Sequence, residues 1–205
     1  MPNIPISIKE KKAWEFAEKA HRGQIRKFGN KSYFEAHVKN VNAILKKYTK
    51  NENILVASIL HDVVEDCYKD QDVGIYIIKD EFGEYISDLV RELTSVKEEI
   101  KDDYYGSKTG YLCDKMMVMS DDALTIKLAD RLQNISDLFT SGKSFRYKYN
   151  IETLKIIDDL ERNRTLTKIQ NHLIDDIKSK LANVGRVFKI KRDEPVFKIK
   201  RFKDI

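Results

Sequence analysis

Cysteine is scarce: the 205 residues contain two, Cys67 and Cys113. Two thiols cannot build a disulfide framework or a cysteine metal cluster, so a reducing, cytosolic setting is expected and both read as ordinary buried thiols. Turn formers are scarce as well. Three prolines and eight glycines leave too few turns for a fold of many short strands and favour long helices. The longest largely apolar stretch is the seven residues from Ile54 to Leu60, broken only by Ser58, against the roughly 20 that a membrane helix needs. The opening MPNIPISIKEKK also has no hydrophobic signal core. These absences predict a soluble all-α protein without a membrane partner.

An overall excess of positive charge is missing from the body of the chain. The net charge is +5 from 38 basic and 33 acidic residues. From Val184 onward there are eight Lys or Arg and three Asp or Glu, and the 30 basic and 30 acidic residues before that point cancel. A basic-surface argument for nucleic-acid binding therefore applies only to the tail. That tail carries VFKIKR twice, at 187–192 and 196–201, around Asp193, Glu194 and Pro195. Period-two alternation bounded by turn residues predicts a short basic β-hairpin, serving as an edge ribbon or a docking arm for a second subunit. The division expected is a helical domain over 1–183 and an appendage over 184–205.

Helical spacing of apolar residues recurs from Trp14 to Ala20, Val38 to Leu45, Ile54 to Val64, Val73 to Phe82, Tyr85 to Leu93 and Ala123 to Phe139. Further helices are expected over 109–119, 146–160 and 163–183. Between the first two helices, GQIRKFGNKS at 23–32 joins glycines and cations in a loop suited to approaching phosphate.

The chemistry concentrates in NILVASILHDVVEDC, residues 53–67, read as one apolar helix ending in His61, Asp62, Glu65 and Asp66. Three carboxylates at a helix C-terminus oppose the macrodipole, so a positive group should sit there. His61/Glu65 and Asp62/Asp66 are i,i+4 pairs that could surround one divalent cation, and nitrogen with oxygen donors suits Mn²⁺, Fe²⁺ or Zn²⁺. Two further candidates complete the shell. His37 lies on the preceding helix, and Asp130 lies in ALTIKLADRLQNISDL, where its position after Leu128 and Ala129 turns it inward. A buried carboxylate without a partner is costly, and a metal would supply one.

These segments resemble the RelA/SpoT-type HD hydrolases of guanosine 3′-pyrophosphate alarmones, particularly their short single-domain forms. The resemblance runs from about Ala17 to Leu160 through AHRGQIRK at 20–27, YFEAH at 33–37, LHDVVED at 60–66, LVRELT at 89–94 and IKLADRLQNISDL at 126–138. It implies an HD-domain helical bundle with a manganese ion held by His37, His61, Asp62 and Asp130, and Glu65 and Asp66 activating the attacking water. It also implies nucleotide contacts by Arg26, Lys27, Lys97 and Asn134, and hydrolysis of guanosine tetra- or pentaphosphate to GDP or GTP and pyrophosphate. The family usually places a proline after the histidine of the YFEAH block and the tyrosine three residues before it. Here Val38 follows His37 and Tyr33 is four residues earlier, so the local backbone should differ. SFRYKYNIET at 144–153 matches the family's last substrate-facing helix loosely, through Arg146, Tyr147 and Tyr149. No nucleotidyltransferase block follows within the chain, so alarmone synthesis is not expected. The alternatives are another HD phosphohydrolase, acting on the 2′-phosphate of NADPH or on a nucleoside 5′-phosphate, and a catalytically silent nucleotide sensor. A homo-oligomer is compatible with each.

Overall fold

The computed structural model describes residues 6–27, 29–96, 107–138 and 141–185. They form helices α1 (Ile8–Ala20), α2 (Lys39–Leu45), α3 (Glu52–Leu60), α4 (Val63–Cys67), α5 (Gln71–Phe82), α6 (Glu84–Leu93), α7 (Lys108–Val118), α8 (Asp121–Asp137), α9 (Lys143–Asn163) and α10 (Lys168–Gly185). A π-helical turn, Phe34–Val38, leads into α2. No strand occurs among the described residues; an isolated antiparallel bridge joins Ile25 to Ser32. The expected all-α architecture is present. α10 runs two residues past the expected boundary at 183, and both VFKIKR copies lie outside the described residues.

Helix starts follow local chemistry. Ser7, Asn51, Asp70, Ser107 and Ser120 each accept a hydrogen bond from a backbone N–H in the first turn of the helix they precede, which satisfies donors a helix start would otherwise leave open. α6 buries Ile86, Leu89, Val90 and Leu93, the one-face spacing of an amphipathic helix. α3 and α8 differ, because they are buried nearly all round. α3 is enclosed from Ile54 to Leu60, and α8 is contacted by α2, α3, α6, α9 and α10. α8 carries Asp130, and His61 caps the end of α3.

The single helix expected through 54–64 is two. α3 stops at Leu60, His61 and Asp62 form a turn, and α4 begins at Val63. The His61 ring bonds the Ser58 carbonyl through Nδ1 at 2.8 Å, a side-chain interaction of the kind that competes with helix propagation. Asp62, at φ −104° and ψ −2°, occupies the bridge region where many active-site residues are found. The expected crowding of three carboxylates at one helix C-terminus is therefore absent. Glu65 and Asp66 lie in the first turn of α4, where negative charge is favoured rather than opposed.

α4 is held in place by its neighbour. A Cβ on Gly74, near the start of α5, would stand 2.9 Å from Cγ of Tyr68, the residue that ends α4. Gly74→Ala gains about 1 kcal/mol of helix propensity but crowds the ring near its attachment point, at about 1–3 kcal/mol. The variant should unfold at lower denaturant concentration than wild type, by about 1 kcal/mol. An unchanged or higher midpoint would show that Tyr68 moves aside freely.

Candidate active site

His37, His61 and Asp62 meet where the end of α3 faces the π-helical turn. His37 Nε2 lies 3.2 Å from His61 Nε2 and 3.2 Å from Asp62 Oδ2, and His61 Nε2 lies 2.9 Å from the same oxygen. Both imidazoles are almost completely buried. Because the Ser58 carbonyl can only accept, His61 Nδ1 carries a proton, and this bond turns Nε2 toward the cluster. Asp130, buried on α8, stands beside the trio, with Oδ1 3.4 Å from His37 Nε2. It is outside the tightest group, in which the ligand atoms of His37, His61 and Asp62 all lie within 4.8 Å of one another.

The spacing fits a cation. An ion bonded at about 2.0–2.2 Å sets neighbouring ligand atoms roughly 3 Å apart, and the distances here run from 2.9 to 3.4 Å. The electrostatics agree. Burial opposes a charge on His37, but hydrogen bonds and charges of Asp130 and Asp62 overcome it and raise its pKa to about 9. Burial likewise opposes ionisation of Asp62, yet His61 and His37 hold it well below the usual carboxylate range. Asp130 is also held low against its burial, chiefly by Lys127. The pocket stabilises both carboxylates as anions and calls for positive charge between them.

Around this cluster the remaining candidates occupy distinct positions. Glu65 is half-buried and accepts the Ser95 N–H at 2.7 Å, which ties α4 to the end of LVRELT. Asp66 reaches solvent, but partial loss of water and the carboxylates of Asp62 and Glu65 push its pKa up to about 6. Arg26 donates to Asn134 Oδ1 at 2.8 Å and to Asp137 Oδ2 at 3.0 Å, and Asn134 donates to Asp130 Oδ1 at 2.6 Å. A continuous polar chain thus runs from Asp130 through Asn134 to Arg26. The glycine-flanked loop folds back on itself through the Ile25–Ser32 bridge, with positive φ at Gly29 and Asn30. Lys27 lies over the Phe145 ring at 5.3 Å, and Arg146 donates to the Ser141 carbonyl at 3.1 Å. Tyr147 is exposed, whereas Tyr149 lies beneath the buried Arg131. Lys97 lies outside the described residues.

Several site residues are missed by reading the sequence. Lys127, one turn before Asp130, approaches Asp130 Oδ2 at 3.0 Å and is nearly buried; a lysine three residues from an acid within an apolar helix was the available signal. Asp137 holds Arg26 and also accepts from Gln133 at 3.0 Å. Tyr33 donates to Asp62 Oδ2 at 2.5 Å. The extra residue between Tyr33 and His37 is housed in the π-helical turn, where the Lys39 N–H reaches back five residues to the Phe34 carbonyl.

A family model described as HD domain matches residues 13–166. The chain belongs to the HD-domain family. Among its relatives in that family, a Drosophila melanogaster protein named guanosine-3′,5′-bis(diphosphate) 3′-pyrophosphohydrolase MESH1 is 31% identical over 161 residues, covering 75% of this chain and 86% of the fly protein. An Arabidopsis thaliana protein named probable GTP diphosphokinase RSH3, chloroplastic, is 34% identical over 153 residues, 73% of this chain but 21% of that protein. The chain spans about a fifth to a quarter of the length of such long relatives. A solved structure reported as a metazoan ortholog of SpoT that hydrolyzes ppGpp superimposes with a TM-score of 0.69 at 27% identity, covering 91% of this chain and 98% of that one. The resemblance to RelA/SpoT-type HD hydrolases is thereby shown, and the superimposed structure is itself a small single-domain form. Among the described residues, no helix is long and apolar enough to cross a membrane.

Proposed function

We propose that this HD-domain protein is a Mn²⁺-dependent hydrolase that removes the 3′-pyrophosphate of guanosine 3′,5′-bis(diphosphate), or of the pentaphosphate, giving GDP or GTP and pyrophosphate. The geometric observation that carries the chemistry is the convergence of His37, His61 and Asp62 on one point, with Asp130 alongside and Glu65 and Asp66 on the next helix turn. Support for the substrate comes from the fly relative, most of whose length this chain covers.

In this reading His37, His61, Asp62 and Asp130 hold the ion, which when bound neutralises charge on the phosphoryl group and lowers the pKa of water. The chain's own residues do the rest. Asp66, solvent-reachable and unusually basic for an aspartate, accepts the proton from the attacking water. Glu65, anchored on the Ser95 N–H, positions that water. Water adds to the 3′-linked phosphorus, the bond to the ribose 3′-oxygen breaks, and that oxygen leaves with a proton as the nucleotide hydroxyl. Arg26, Lys27 and Lys97 supply cations for the phosphates, and Asn134 contacts the nucleoside. The enzyme works in the cytosol on a small nucleotide, alone or as a homo-oligomer, and any contact with nucleic acid is confined to the basic tail.

The test is pyrophosphate release from guanosine tetraphosphate by the purified chain, with Mn²⁺ and with chelator, alongside a chain ending at Gly185. Release that needs Mn²⁺ and survives truncation is expected. Inactivity of the folded, Mn²⁺-loaded protein towards this substrate, combined with phosphate release from NADPH or a nucleoside 5′-phosphate, would replace the substrate. Inactivity towards all of them would make the protein a sensor.

A further inference from the structure

We infer that the Tyr33 hydroxyl is a positioning group for the metal site, fixing the ligand oxygen of Asp62. The oxygen it meets at 2.5 Å, Asp62 Oδ2, is the one that faces both imidazoles. An ionised carboxylate oxygen has two lone pairs. The phenol takes one and leaves the other for the space shared with His37 and His61, where the cation belongs.

The ring is held for this purpose from three directions. His21 stacks on it, with centroids 5.1 Å apart and planes 30° from parallel; His37 lies 5.1 Å away on another side; and the Arg26 guanidinium lies over it at 5.3 Å. His21 is itself buried and tied through Nδ1 to Gln24 at 2.8 Å, and Gln24 reaches the Asp66 carbonyl at 3.4 Å. The packing therefore couples the end of α1, Tyr33 and the helix that carries Glu65 and Asp66. Backbone geometry points the same way. Tyr33 immediately precedes the π-helical turn, an uncommon structure often found at functional sites, and that turn carries His37 into the cluster. Hydrogen-bonding partners behind a ligand typically change metal affinity or activity by about 10- to 100-fold when removed.

The inference rests on the metal reading of His37, His61 and Asp62 and is independent of which nucleotide is the substrate. It is tested on the full chain stripped with chelator, comparing wild type with Tyr33→Phe. Mn²⁺ binding is measured by calorimetry and the visible spectrum is recorded after Co²⁺ loading. The variant should bind Mn²⁺ about 10- to 100-fold more weakly, shift the Co²⁺ bands, and melt close to wild type when metal-free. Equal Mn²⁺ affinity with an unchanged Co²⁺ spectrum would overturn the inference alone, including the case where KM rises because the phenol touches substrate instead. Absence of Mn²⁺ uptake by wild type would overturn the metal reading and this inference together.

Discussion

Asp66→Asn should slow pyrophosphate release by roughly 10²- to 10⁴-fold, the usual worth of a positioned general base, while Mn²⁺ affinity changes little. The asymmetry between the two acids follows from their environments. Glu65 already accepts a backbone N–H from Ser95, and Glu65→Gln keeps an oxygen able to accept it, so a smaller loss is expected. Asp66 reaches solvent and has its pKa pushed up to about 6 by partial burial and by Asp62 and Glu65. It must be ionised to take a proton, so wild-type rates should fall on the acid side. A divalent cation nearby moves that limb below 6, since positive charge favours the carboxylate. Asp66→Asn should remove the limb. A variant that loses Mn²⁺ binding together with activity would instead make Asp66 a ligand, and an unchanged rate would end its role as base.

Much of this site was legible because a few residues combine polarity with burial. His37 and Asp130 sit at inward positions of apolar helices, and the adjacent pair His61–Asp62 ends an apolar run; both features survive in the folded protein. The helix break at His61 was not legible, because it depends on a side-chain bond to the Ser58 carbonyl that no spacing rule encodes. Reading one helix there singled out Glu65 and Asp66 by the helix dipole, which at their true place in the first turn of α4 acts in the opposite sense. The contacts of Arg26 were hidden for another reason. Its partners Asn134 and Asp137 lie more than 100 residues away, and only the packing of α8 against the segment entering α2 brings them together. Tyr33 shows the opposite case: its displacement by one residue was visible, but the π-helical turn that absorbs it required the backbone.

Raising the pH from 6.5 to 9 should destabilise the metal-free protein and leave the Mn²⁺-loaded protein nearly unaffected. The source is His37, whose folded pKa is raised to about 9 from an ordinary 6.5 by Asp130 and Asp62 acting against burial. A group with a raised folded-state pKa contributes stability that is complete below its unfolded value and disappears as pH climbs through the folded value. At about 1.4 kcal/mol per pH unit, the gap between 6.5 and 9 corresponds to about 3 kcal/mol. His21 does not cancel it, because burial lowers the His21 pKa and places its effect below 6.5. The proton on His37 and the metal compete for the same cluster, so Mn²⁺ binding should release a proton and tighten as pH rises across this window. Denaturant unfolding at several pH values, with chelator and with Mn²⁺, measures both stability curves, and His37→Ala should flatten the metal-free one. A metal-free curve that is already flat in wild type would mean that His37 is neutral in the empty site and that Asp62 and Asp130 draw their compensating charge from other neighbours, His61 and Lys127.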